Sequence, residues 1–283
     1  MKAEVWITPD ELLGLKHLSS SMEDFPLSFS ALPGVGYSRQ KGEGYDLYGI
    51  RPYQSGDSLR RVNRLATARL DKLYLNEFME ERQLAAHILI DQSACMFFSS
   101  TLAMKSVVAA KTGIRILFGY LKNGHRVSGE VFSDSAHSFL PLTSGETVAE
   151  EWVAMVAEYS RRLADEPCMT KKETLPDALT RCLEIGLSDR EIYVVSDFMP
   201  YAEEALEKQL GILCRQNRLY LIQTSDLLEE NPPLRQWLTD GVSEWMFHHE
   251  KEREEYQRTR REKKERLIQF CKENEIMFHE NFT

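Results

Sequence analysis

Two apolar runs of strand length, Ala85-Ala86-His87-Ile88-Leu89-Ile90 and Ile192-Tyr193-Val194-Val195-Ser196, end on an acid: Asp91 in the first, Asp197 in the second. Apolar residues that run on without alternating belong to strands covered on both faces, which is the situation of a parallel sheet. Helix-length amphipathic segments lie between and around them. Lys105–Leu121 is stopped by Asn123-Gly124; Thr147–Leu163, Leu175–Ile185 and Ala202–Gln216 follow, with strands expected at 126–132, 139–140 and 219–223. Strands joined through helices of this length imply right-handed crossovers. The expected fold class is therefore α/β, a doubly wound and mostly parallel sheet.

The flanks read differently. Thr8-Pro9-Asp10-Glu11 carries the signals of a helix start, with Thr8 as N-cap. From Pro33 to Glu81 the pattern is irregular and punctuated by glycine. Tyr45–Ile50 and Lys72–Phe78 alternate like half-buried strands, so an N-terminal β-rich appendage is expected. After Pro232-Pro233 come a strand at 243–247, a charged helix at Lys251–Lys272 and a last strand at Ile276–His279. The expected division is 1–83 for the N-terminal helix and appendage, 84–229 for the α/β domain, and 230–283 for a C-terminal extension.

Charge and cysteine usage narrow the function classes. Lys and Arg total 35 against 44 for Asp and Glu, a net charge of −9, which disfavours nucleic acid as a partner over the whole surface. Between Arg39 and Lys72 the chain is locally basic. The acids interspersed there point instead to structural pairs, with Asp57 on Arg60 or Arg61 tying the appendage to the core. No apolar stretch has the length of a membrane span, and MKAEVWITPDELL lacks the pattern of a signal peptide. Cys95, Cys168, Cys182, Cys214 and Cys271 form no CxxC pair, so reduced thiols and a cytoplasmic location are expected. The mixed charges of 251–272 read as a solvated helix, anchored through Tyr256, Leu267, Phe270 and Cys271.

In open α/β sheets ligands bind outside the carboxyl ends of the strands, which is where Asp91 and Asp197 fall. Asp91 opens Asp91-Gln92-Ser93-Ala94-Cys95, with a small polar side chain at every second position. An acid followed by spaced polar groups on a tight loop is the start of a ligand set for Mg²⁺. Against this stands the reading in which both acids only cap helices or form turns. A phosphoester hydrolase using Asp91 and Asp197 as metal ligands is a rival class, but no phosphate-binding lysine or general acid is evident near these loops.

At these residues a resemblance enters. Asp91-x-Ser93-x-Cys95 is similar to the Asp-x-Ser-x-Ser metal-ion-dependent adhesion site of von Willebrand factor A domains. Upstream, Gly42-x-Gly44, Arg51-x-Tyr53-x-x-Gly56-Asp57-x-x-Arg60-Arg61-Val62 and Ala66-x-Ala68-Arg69 resemble the signature of the bacterial family known as domain of unknown function fifty-eight. Asn63-Arg64 departs from that signature, where an acid or His followed by Trp is usual. Cys95 departs too, because a protonated thiol is a poor Mg²⁺ ligand.

The resemblance implies a von Willebrand A-like domain whose metal residues would be Asp91, Ser93, Cys95, Thr174 and Asp197. The implied cofactor is Mg²⁺, holding a partner's carboxylate in its last coordination position. It further implies a non-enzymatic binding module, an adaptor for a MoxR-type AAA+ ATPase in complex maturation or stress response.

Overall fold

In the computed structural model the described residues are 4–18, 39–42, 46–70, 72–81, 84–166, 174–239 and 244–283. Tyr45, Asp71, Cys168 and the first residue of the strand expected at 243–247 lie outside them. In chain order the elements are α1 (Pro9–Leu18), β1 (Arg39–Gly42), β2 (Asp46–Pro52), α2 (Arg64–Leu70), β3 (Tyr74–Glu81), β4 (Ala85–Asp91) and α3 (Lys105–Lys122). Next come β5 (Arg126–Phe132), β6 (His137–Thr143), α4 (Glu146–Asp165), α5 (Leu175–Ile185), β7 (Glu191–Ser196), α6 (Glu203–Leu213) and β8 (Arg218–Ser225). The chain continues with α7 (Leu227–Glu230), β9 (Leu238–Thr239), β10 (Glu244–Trp245), α8 (Glu250–Glu273) and β11 (Met277–Phe282).

The central sheet has six strands in the order β11-β8-β7-β4-β5-β6, all parallel except β6. From the β6 edge, the strands succeed one another in the chain as third, second, first, fourth, fifth and sixth, which is a doubly wound order. Its reversal point falls between β4 and β7, the two strands whose ends carry Asp91 and Asp197. As expected of a parallel sheet covered on both sides, β4 is buried beyond its first residue and β7 along its whole length. The antiparallel edge strand β6 instead alternates between exposed and half-buried through most of its length, and it accommodates Pro141, which a central strand could not.

Helices α1, α3 and α4 pack together on one face of the sheet; α5, α6 and α8 cover the other. On the first face Trp152 of α4 lies over Gly129 of β5. A Cβ at 129 would fall 2.1 Å from the Ile88 carbonyl oxygen and 2.5 Å from the Trp152 ring, so only glycine fits. On the second face Leu89, Leu179, Val194, Leu210, Leu221 and Leu267 form the apolar core. Helix α3 ends as its Asn-Gly signal predicts, with Gly124 at φ +70°.

The chain divides differently from the expected three parts. One unit comprises 1–27 and 85–283, the other 28–84. The N-terminal helix belongs with the α/β unit because α1 packs on α3 and α4. The C-terminal segment belongs there because α8 is a crossover helix and β11 pairs in parallel with β8, completing the main sheet. Within the second unit β1, β3 and β2 form an antiparallel sheet. A short helix, α2, lies where the Gly-punctuated pattern predicts only irregular chain. Asn63 caps it, accepting from the Ala66 N–H at 2.9 Å, while its amide donates to Asn76 at 2.8 Å. Within the appendage Asp57 is gripped by Arg51 through two bonds of 2.6 Å, a partner that the sequence did not suggest.

Candidate functional site at the strand ends

Asp91 is fully buried at the end of β4. The chain turns at once, with Gln92 N–H bonded to the Phe132 carbonyl on β5 and a single 3-10 turn over Ala94–Met96. This turn folds Ser93 back onto the acid. Asp91 Oδ1 accepts from Ser93 N–H at 2.9 Å and Ser93 Oγ at 2.6 Å; Oδ2 accepts from Ser196 Oγ at 2.5 Å and Tyr201 OH at 2.8 Å. Four protein donors thus fill the carboxylate. Burial still dominates and raises the pKa of Asp91, against the opposing pull of these bonds from Ser196, Ser93 and Tyr201. Cys95 Sγ lies 3.2 Å from Ser93 Oγ and 3.8 Å from Tyr201 OH. Burial, then the Asp91 carboxylate beside it, drives the Cys95 thiol well above its ordinary value, so the sulfur stays protonated.

Asp197, at the end of β7, is equally buried but is held by charge. Lys105, in the first turn of α3, places Nζ 2.8 Å from Asp197 Oδ2 and 2.7 Å from Glu229 Oε1, with none of its side chain exposed. Arg260 of α8 closes the group, 3.1 Å from Glu229 and 3.8 Å from Asp197. Burial alone would lower the Lys105 pKa, but Asp197 and Glu229 outweigh it and hold the ammonium charged. Burial would likewise raise Asp197; Lys105 and Arg260 prevail and pull it below the usual carboxylate range. The charged helix α8 is therefore bound to this site as well as anchored by Leu267 and Cys271, with Lys264 adding pairs to Glu230 at 2.7 Å and to Glu280.

The third expected region is used elsewhere. Thr174 is the N-cap of α5, and both its N–H and its hydroxyl donate to Asp177 in a capping box. Of the five expected metal residues, then, Asp91, Ser93 and Cys95 come together, Asp197 sits on an internal cation, and Thr174 serves a helix end. As arranged, these donors do not fit Mg²⁺. The Asp91 oxygens are taken, the sulfur is soft and protonated, and an ammonium stands against Asp197. Among the described residues no group of three or more His, Cys, Asp or Glu side chains is placed to hold a metal ion.

Lys105, Glu229, Arg260, Ser196 and Tyr201 are the site residues that sequence reasoning missed. Lys105 did leave a signal. It shares the buried face of α3 with Ala109, Thr112 and Ile116, and a cation in the first turn of a helix opposes the macrodipole unless an acid compensates it.

The family described as "Protein of unknown function DUF58" matches residues 49–271. The Mycobacterium tuberculosis protein "Uncharacterized protein Rv1480" is 26% identical over 95 residues, covering 34% of this chain and 30% of its own length. The chain thus spans about a third of the length of the curated relatives it matches. Among solved structures, the conserved hypothetical protein BatB from Bacteroides thetaiotaomicron is similar at a TM-score of 0.41 and 11% identity, over 71% of this chain and 91% of that one. The SpRpn10 VWA domain is similar at 0.37 and 14%, over 52% and 77%. The architecture rests on the strand order above rather than on these scores. Among the described residues no helix is long and apolar enough to cross a membrane.

Proposed function

This chain belongs to the DUF58 family, and we propose that it is a non-enzymatic protein-binding module whose strand-end face works without a metal ion. The observation that carries this reading is the buried Lys105 ammonium on Asp197 and Glu229. A protein cation there supplies the positive charge that a divalent ion would bring to such a face, and hydroxyl donors already fill the neighbouring Asp91. The face is then a finished surface that recognises a partner by shape and by its rim. Apolar points exposed at these strand ends are Leu102, which follows the Asp91 loop and is 49% exposed, and Leu227, which follows β8 and is 57% exposed.

The partner we propose is a MoxR-type AAA+ ATPase in the cytoplasm, with this chain as its adaptor in complex maturation or stress response. The hydrolase alternative now has a lysine near the loops, but Lys105 is already paired with two carboxylates, the buried Asp197 and the largely buried Glu229.

The test is co-elution of the full chain with a MoxR-type ATPase on a sizing column in its ATP-analogue and ADP states. Wild type and Cys95→Ser are expected to co-elute in a nucleotide-dependent way, and Leu102→Asp to lose the complex while remaining folded. A complex indifferent to Leu102→Asp would contradict the face assigned here. Turnover of p-nitrophenyl phosphate with Mg²⁺, abolished by Asp91→Ala, would replace the binding reading with the hydrolase.

A further inference from the structure

At the far end of the sheet, where the parallel strands begin, two arginines stand together. Register places Arg126, the first residue of β5, beside Ala85 of β4, and Ala86 beside Glu191 of β7, so that Arg190 flanks Ala85 from the other side. Side chains alternate along a strand, so Arg126, Ser128 and Glu130 share a face of the sheet with His87 and Arg190. The backbone of Arg190 is fixed: its N–H donates to the Asn217 side chain at 3.2 Å, and its carbonyl accepts from Arg218 N–H at 2.9 Å. From there its guanidinium crosses β4, and Nη1 donates to Ser128 Oγ on β5 at 3.1 Å. Ser128 is two residues from Arg126 on the same face, which brings the Arg190 guanidinium alongside the Arg126 side chain. The proximity is felt as repulsion: burial first, and then the Arg126 charge, lower the pKa of Arg190.

Two cations held together repel unless an anion offsets them. Among the described residues neither arginine is ion-paired. The next acid along this face of β5, Glu130, is buried, and Arg181 Nε engages its two oxygens at 3.0 and 3.2 Å. Ser128 is not the group that awaits a ligand. It is 1% exposed, its hydroxyl meets His87 Nδ1 at 2.9 Å, and it donates to the Ala86 carbonyl at 3.3 Å. Its contact with Arg190 holds that guanidinium in one orientation and leaves the other N–H groups unused within the fold. Arg126 is exposed and Arg190 half-buried, so both can be reached from solvent.

We propose that Arg126 and Arg190 bind a phosphate group, a dianion whose oxygens accept from both guanidinium groups and whose charge matches the pair. A carboxylate, with a single charge, would leave one cation unmatched. The same chemistry arrives either as a free small phosphate or as a phosphorylated side chain of another protein.

The experiment is isothermal titration of the full chain, at neutral pH and fixed ionic strength, with inorganic phosphate, with the peptide acetyl-Gly-phosphoserine-Gly-amide and with acetate. It is repeated on Arg126→Gln, Arg190→Gln and Arg218→Gln. Arg218 starts β8 as an exposed cation 3.9 Å from Glu191, and it controls for loss of charge alone. Saturable phosphate binding, weakened about tenfold by Arg126→Gln and by Arg190→Gln and kept in Arg218→Gln, is the expected result. Thermal unfolding separates this from a structural role. Without phosphate, Arg126→Gln should unfold no lower than the wild type, since it removes a repulsion and breaks no hydrogen bond among the described residues. Added phosphate should raise the wild-type temperature and leave that of Arg126→Gln unchanged. Tighter binding of the peptide than of phosphate assigns the site to a phosphorylated partner; the reverse assigns it to a free phosphate. Silence with both, wild-type binding in Arg126→Gln, equal loss in Arg218→Gln, or acetate binding as tightly as phosphate would overturn the proposal. If Arg190→Gln does not fold, Arg126→Gln decides.

Discussion

Asp91 and Asp197 close neighbouring parallel strands, both are excluded from solvent, and they are held in opposite ways. Neutral hydroxyls and one N–H surround Asp91, and its pKa rises; Lys105 and Arg260 surround Asp197, and its pKa falls. A divalent ion shared by two strand-end acids needs both of them charged and both with open lone pairs. Here Asp197 is charged but already paired with Lys105, and the oxygens of Asp91 are filled by four donors. Position in the fold marks where chemistry can occur, but the donors that reach each carboxylate decide whether it does.

The comparison is broken most severely by removing the internal cation. Lys105→Met leaves Asp197 and Glu229 with Arg260 as the remaining cation of the cluster, and a loss of about 3–5 kcal/mol is expected from denaturant unfolding. Combining it with Asp197→Asn is expected to cost less than the sum of the two single changes. Strict additivity would mean that the 2.8 Å contact contributes nothing.

Acid titration of stability sharpens the contrast, because the two acids carry opposite signs. The native state raises Asp91, so its contribution is fully present below the unfolded value of about 3.9 and fades as pH rises through the native value. The native state lowers Asp197, so its contribution is present above that value and is lost as pH falls through the native one. Asp197→Asn is therefore expected to flatten the loss of stability below about pH 4, and Asp91→Asn to remove a gain that the wild type makes as pH falls toward about 4, each by less than ~1.4 kcal/mol per pH unit. Buried His87, whose pKa burial lowers to about 3, adds its own loss between about pH 6.5 and 3. It does so equally in every variant and cancels in the differences. Slopes of the same sign in both variants would mean that the acids are not held differently.

The smallest effect concerns Cys95. With its thiol raised by burial and by Asp91, it should react with an aromatic disulfide reagent at pH 8 far more slowly than a free cysteine. The rate should increase in Asp91→Asn.

These contrasts also show which parts of the site could be read from the chain. The strand-end acids were legible because β4 and β7 are buried on both faces and leave unbroken apolar runs. Thr174 was open to a better reading, since Thr174-x-x-Asp177 ahead of an apolar run is the local pattern of a capping box. Lys105 was harder. Its partners stand 92 and 124 residues away, and only the three-dimensional fold brings them together. The parallel pairing of β11 with β8 was hidden for the same reason, because a crossover through α8 leaves no turn signal to announce it.

The claim that a lysine has taken the place of a metal ion is tested most directly by isothermal titration of the metal-stripped protein with Mg²⁺ and Mn²⁺, alongside Asp91→Ala and Cys95→Ser. No saturable binding is expected in any of the three, since restoring a serine at 95 does not move the ammonium from Asp197. Saturable binding in the wild type that disappears in Asp91→Ala would contradict the account.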